Sequence, residues 1–253
     1  MLEAAIRARR ARKDILLMTH IVLGYPNFDD CMRLAETMVG SGVDLMELQI
    51  PFSEPIADGP VILRANQAAL HGGARVDDCL SFAERLTERF DIPFVFMSYY
   101  NIPFTFGVDA FAERMRRAGV QGAIVPDLPP EEAGIYLPAM RRRALAPVFI
   151  YSPNTSDARM RMIAREVGGF VYCVARKGVT GADTDFAGHL CTYLERCRRA
   201  TQLPLALGFG VREAADVDFL RGRVDIAVVG TQTIRVFDEG GVDAVGAFLR
   251  GLR

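Results

Sequence analysis

Short apolar runs alternate with amphipathic stretches along the whole chain, and this rhythm restricts the possible folds more than any other feature of the sequence. The runs that read as strands are 15–22, 44–50, 93–99, 122–125, 147–151, 169–174, 203–207 and 225–229. Several are nearly unbroken in Val, Ile, Leu and Phe. That is the pattern of parallel strands covered on both faces, not of an antiparallel sheet with one wet side. Between them, the stretch 29–40 sets Cys31, Leu34, Ala35 and Met38 on one helical face. The stretches 108–118, 130–144, 156–167, 183–200 and 212–221 read as further helices. Eight strands, each followed by a helix, predict a parallel sheet closed into a barrel. The 253 residues match the roughly 250 typical of such a barrel. Length alone also fits two small domains, but no stretch rich in Pro, Gly or Ser divides the chain. The expectation is therefore one α/β domain over residues 1–253, a (β/α)8 TIM barrel.

Composition narrows the function classes. With 50% apolar residues, 24% charged residues and a net charge of -1, nothing global attracts nucleic acid or an anionic membrane. The Arg-rich stretches 7–13, 141–143 and 196–199 fall on helix-like segments and read as solvated surface. No apolar run approaches the roughly 18 to 20 residues that cross a bilayer. Five cysteines without CxxC spacing exclude a zinc knuckle and a thioredoxin motif. An odd cysteine count behind a start that lacks an apolar secretory core leads us to expect reduced thiols and a cytoplasmic location. The three histidines, His20, His71 and His189, are too scattered to suggest a metal site. P-loop, GxGxxG and GxSxG motifs are absent.

The chemistry concentrates where strands hand over to helices, the barrel end at which such enzymes place their active sites. In LMELQIPFSEPIADGPVI, residues 45–62, Glu47 lies inside an apolar strand, where a carboxylate is costly unless it is paired or used. Alternation sets Glu47 and Gln49 on one face and Met46, Leu48 and Ile50 on the other. If the first face points inward, Glu47 is a carboxyl near the barrel mouth, suited to proton transfer. Asp58 follows in a loop bounded by Pro51, Pro55 and Pro60; it reads either as its partner or as a turn residue. Glycines then follow the last three strands: Gly178 and Gly181, Gly208 and Gly210, and Gly230 beside Thr231. Barrels bind phosphate with backbone N–H groups of these late loops, and glycine allows close approach. Tyr99 ends a strand as a core aromatic or a site residue, and Asp127 ends another as a helix cap or a site residue.

Taken together, these residues resemble the tryptophan synthase alpha subunit family. ELQIPFSEPIADGP is similar to that family's most distinctive motif. The likeness continues in order through LGYP (23–26), YYN (99–101), PDLPPEE (126–132), RKGVTG (176–181), GFG (208–210) and VVGT (228–231). The resemblance implies a lyase that splits indole-3-glycerol phosphate into indole and glyceraldehyde 3-phosphate without metal or organic cofactor. Glu47 would protonate indole C3 and accept the proton of the glycerol hydroxyl, and Asp58 would hydrogen-bond the indole N–H. By the same match, Gly181, Gly210, Gly230 and Thr231 would hold phosphate, and His20, Tyr99, Ile150, Tyr172 and Phe209 would line the indole pocket. Residues 176–182 would close over substrate, with Thr180 positioning Asp58. A beta subunit in an alpha2beta2 complex is the implied partner, with Asp127 contributing to communication with it. Three positions depart from the family pattern: Gln49 replaces a usual glycine, His20 a usual Phe or Tyr, and Glu54 a usual Asp. The departures at Gln49 and His20 leave open a catalytically weak subunit that activates the beta subunit. Another phosphate-binding barrel enzyme is the remaining alternative. Gln49 is expected to bond Glu47 or to crowd the substrate.

Overall fold

The computed structural model describes residues 1–175, 183–208 and 210–253. Helix α1 (Leu2–Arg10) leads into β1 (Leu16–Val22), α2 (Phe28–Gly40) and β2 (Leu45–Gln49). Two helices follow, α3 (Pro60–His71) and α4 (Val76–Arg89), then β3 (Phe94–Met97) with α5 (Asn101–Phe106) and α6 (Val108–Arg117). Next come β4 (Gly122–Ile124), α7 (Tyr136–Arg142), β5 (Ala146–Val148), β6 (Ile150–Tyr151) and α8 (Asp157–Ala164). The chain ends with β7 (Val171–Val174), α9 (Asp183–Ala200), β8 (Leu205–Gly208), α10 (Ala214–Leu220), β9 (Ile226–Val229) and α11 (Thr231–Gly251).

All strand pairs are parallel, in the order β5-β4-β3-β2-β1-β9-β8-β7-β6. The two ends of this order are adjacent in sequence, on either side of Phe149. The first half, β5, pairs with β4, and the second half, β6, pairs with β7. The Tyr172 N–H donates to the Phe149 carbonyl at 3.0 Å, so pairing passes through the break. Residues 146–151 thus serve as one barrel strand that shifts neighbours half-way, and they close a ring of eight.

The period-two pattern produces two apolar shells. Inside the ring, Leu16 and Met18, Leu45, Val95 and Met97, Ile124, Val148, Ala206, Ile226 and Val228 pack together. Outside it, Leu17, Ile21, Met46, Leu48, Phe94, Phe96, Leu205 and Leu207 meet helix residues such as Leu34, Met38, Phe82, Leu86, Phe111 and Leu249. Helix α1 closes the N-terminal end of the ring: Leu2 and Ile6 are buried and belong to the inner shell. Its arginines latch onto the loops that enter the strands, Arg7 to the Gln202 carbonyl at 2.7 Å and Arg9 to that of Asp91 at 2.6 Å. Nothing in the apolar pattern of this charged start pointed to such a role. The expected helix over 130–144 divides into a 3-10 turn, Pro130–Glu132, and α7, with Gly134, a poor helix former, between them. The stretch after β3 carries the short helix α5. No helix of the described residues is long and apolar enough to cross a membrane.

Candidate active site

The inner faces of β1 and β2 change character toward the C-terminal end of the ring. Leu16, Met18 and Leu45 give way to His20, Glu47 and Gln49, all buried. His20 is the register partner of Glu47 across the β1–β2 ladder. Its Nδ1 lies 3.0 Å from Glu47 Oε1. The other Glu47 oxygen, Oε2, and His20 Nε2 are buried and have no hydrogen-bond partner. Burial works against a charged His20 ring. The Glu47 carboxylate, through charge and hydrogen bond, and Asp58, through charge, outweigh it, so the ring's pKa lies above the ordinary imidazole value.

Asp58 comes to the same mouth from the loop between β2 and α3. Its Oδ2 accepts from Gln49 Nε2 at 2.7 Å and from the Tyr99 hydroxyl at 3.0 Å. Gln49 therefore bonds Asp58, not Glu47: from its place two residues along the strand its longer side chain reaches over to the loop. Burial raises the Asp58 pKa, while His20, Gln49 and Tyr99 favour the charged form. The loop is pinned in several places. The Ala57 N–H donates to the Tyr99 hydroxyl at 3.0 Å, and Phe52 stacks on Tyr99 with ring centroids 5.2 Å apart. Asn66, buried on the apolar face of α3, accepts the Phe52 N–H at 2.9 Å and donates to the Ile62 carbonyl at 2.8 Å. The sequence reading missed Asn66. Its signal was an amide between Ala65 and Ala69 on a helix face that is otherwise apolar.

Tyr172 of β7 and Ile150 of β6 are register partners, and both pack against the inner shell. Burial first, then the charges of both Glu47 and Asp58, push the Tyr172 hydroxyl well above the usual phenol range. Both carboxyls thus act on one buried ring. A Cβ on Gly208 would meet the Tyr172 hydroxyl at 3.0 Å, so only glycine leaves that ring its place. Gly210 has a φ of +91°, a conformation that favours glycine. Gly230 stands at the N-cap of α11 without a side-chain cap, and Thr231 is the first residue of the helix. Uncapped N–H groups at a helix N-terminus suit an anion. Thr233, also missed by the sequence reading, ties this turn down by donating to the Gly230 carbonyl at 2.6 Å.

Of the residues named from sequence, the structure gathers His20, Glu47, Gln49, Asp58, Tyr99, Ile150 and Tyr172 on the inner face and mouth of the ring, with Gly208, Gly210, Gly230 and Thr231 at the ends of β8 and β9. Thr180, Gly181 and Phe209, and with them Gly178 and the loop 176–182, lie outside the described residues. Asp127 caps the neighbouring loop, accepting the Tyr100 N–H at 2.9 Å, and Glu54 is exposed. Among the described residues no group of three or more His, Cys, Asp or Glu side chains could hold a metal.

The family model described as tryptophan synthase alpha chain matches residues 6–245. The chain belongs to the tryptophan synthase alpha chain family. A tryptophan synthase alpha chain of Syntrophotalea carbinolica is 64% identical over 253 residues, covering 100% of both chains. A tryptophan synthase of Mycobacterium tuberculosis in its aminoacrylate-bound form superposes with a TM-score of 0.90 at 30% identity, over 99% of this chain and 97% of that one. In the tryptophan synthase complex of Pyrococcus furiosus the matching chain gives a TM-score of 0.85 at 27% identity, over 94% and 97% of the two chains. These solved alpha-chain relatives thus share the (β/α)8 barrel described above.

Proposed function

We propose that Glu47 and Asp58 carry out the lyase reaction of the alpha-chain family, cleavage of indole-3-glycerol phosphate into indole and glyceraldehyde 3-phosphate. The observation that carries this reading is the convergence of two differently held carboxyls at the barrel mouth, beside the uncapped N-terminus of α11.

In this reading the phosphate rests on the N–H groups and the hydroxyl at Gly230 and Thr231, with Gly210 beside it. The indole ring lies against Tyr99, Ile150 and Tyr172. Asp58, with Oδ2 occupied by Gln49 and Tyr99, turns its other oxygen to the indole N–H and stabilises the cation formed when C3 is protonated. Glu47 gives that proton from its unpartnered oxygen. It then takes the proton of the glycerol hydroxyl as the bond between C3 and the side chain breaks; the bonding electrons return to the ring and the hydroxyl carbon becomes the aldehyde. The partner is a beta subunit that receives the indole, supported by the likeness to a chain in a solved tryptophan synthase complex. Biosynthesis of this kind places the chain in the cytoplasm.

Steady-state cleavage of indole-3-glycerol phosphate, by the chain alone and together with a beta subunit, tests the proposal. Turnover that rises on complex formation and falls steeply in Glu47→Gln is expected. Substrate binding without turnover in either setting sinks the lyase reading and leaves a subunit that only activates its partner.

A further inference from the structure

We propose that His20 is a positioning residue for this reaction: its ring and the Glu47 carboxyl hold one proton between them, and the proton-loaded pair is the form that protonates indole. The inference rests on Glu47 being the acid. Its ground is geometric. His20 and Glu47 lie opposite each other on β1 and β2, each side chain is 5% exposed, and Nδ1 and Oε1 are 3.0 Å apart. Each group thereby uses one polar atom on the other and keeps one, Nε2 and Oε2, buried and unpartnered. Buried polar atoms without partners are costly, and a pair that leaves two of them open is built to receive a polar ligand.

The ring also stands between the acid and the proposed phosphate cradle. A Cβ on Gly230 would lie 3.6 Å from His20 Cβ. The Thr233 hydroxyl lies 3.4 Å from the His20 carbonyl, which joins the first turn of α11 to the same strand end. A substrate with its indole at Asp58 and its phosphate at Gly230 therefore lays its hydroxyl-bearing chain along His20 and Glu47. The groups acting on the ring are Glu47 of β2, Asp58 of the following loop and the Gln49 side chain; the hydroxyls of Tyr99, just after β3, and of Tyr172 on β7 stand by the same carboxyls. Burial holds both hydroxyls neutral. Two carboxylates facing one imidazole favour a proton in the pair.

Protons balance over one cycle. The loaded pair gives one proton to C3, the pair is left as neutral imidazole and carboxylate, and the glycerol hydroxyl returns one proton to it as the carbon–carbon bond breaks. Free enzyme above the pH at which the pair unloads has no proton to give, so kcat/KM falls there.

The test compares pH profiles of wild type, His20→Phe and His20→Asn in the full chain with its beta subunit. His20→Phe is expected to move the alkaline limb of kcat/KM down by about one pH unit or more, with KM on the low-pH plateau changed less than about threefold. His20→Asn, whose amide can donate where Nδ1 does but cannot titrate, restores the plateau kcat and not the limb. Superposed limbs in all three proteins overturn the inference. A reading independent of turnover comes from ¹⁵N spectra of the His20 ring. Glu47→Gln is expected to lower its pKa by about one unit or more, and an unmoved titration also overturns the inference. A wild type that leaves the substrate intact overturns the lyase reading together with this one; a cleaving wild type with superposed limbs overturns this one alone.

Discussion

The two ends of the barrel are built from the same inward-facing positions of the same strands and do opposite things with them. At the N-terminal end, Leu16, Met18, Leu45 and Ile226 fill the ring and α1 seals it with Leu2 and Ile6. The carboxylate of Asp225 there is outside the ring and paired: it accepts from Arg198 at 2.7 Å and from the Leu205 N–H at 2.8 Å, and lies 3.3 Å from Arg10. At the C-terminal end, the same inward column carries His20, Glu47 and Gln49, and each of these leaves a buried polar atom unpartnered. The floor accordingly contributes stability, while the mouth gives some of it up by leaving hydrogen-bonding atoms open.

Substitutions at the two ends should therefore separate stability from turnover. The largest effect is expected for Glu47→Gln, a loss of about 10² to 10⁴ in kcat with KM nearly unchanged, because shape is kept and the proton is not. Steady-state kinetics check it, and retained activity would move the acid elsewhere. Ile6→Ala at the floor should cost about 2 to 5 kcal/mol in urea unfolding and leave kcat/KM of the folded enzyme alone. A fall in kcat/KM that matched the stability loss would join the two ends into one unit. Thr231→Ala should raise KM by about tenfold, the worth of one hydrogen bond to a charged oxygen, without altering kcat. Gln49→Gly, which removes a donor from Asp58, should slow kcat/KM by about fivefold; a faster enzyme would mean that the side chain crowds the substrate instead.

The smallest effects distinguish the ends by the sign of their pH dependence. Burial opposes ionisation of Asp225, but Arg198, the Leu205 N–H and Arg10 outweigh it and hold the carboxyl below its usual range. Its contribution is present above the unfolded carboxyl value and is lost as pH falls through the lowered folded one. His20 and Asp58 are raised, so their contributions are present below the unfolded values and are lost as pH rises through the folded ones. Asp225→Asn should flatten the acid side of the unfolding midpoint against pH, and His20→Phe the side above neutrality. The same change of slope in both variants would erase the contrast.

Much of this was legible in advance because strand burial leaves a local signature. Eight apolar runs announced eight barrel strands, and a glutamate inside one of them announced a buried carboxyl at the inner face. Glycines at and after the end of β8 marked a place where backbone approaches a ring and one where φ is positive. Less legible were features that depend on what meets what. The charged start of the chain is a plug only because Leu2 and Ile6 find the open end of a ring whose last strands come more than 200 residues later. Asn66 looked like one polar residue on a helix, and its role appears only where the Phe52 N–H needs an acceptor.

The sequence by itself determined the number of strands, their parallel run and the residue types at the mouth, since period, burial pattern and composition are properties of neighbours along the chain. Tertiary structure alone decided the pairings: His20 with Glu47, Gln49 with Asp58, and one strand split at Phe149 to close the ring. Those outcomes depend on side-chain reach and strand register between segments far apart in the chain. A hydrogen bond is made or missed within a few tenths of an ångström, a difference that no pattern of apolar and polar letters records.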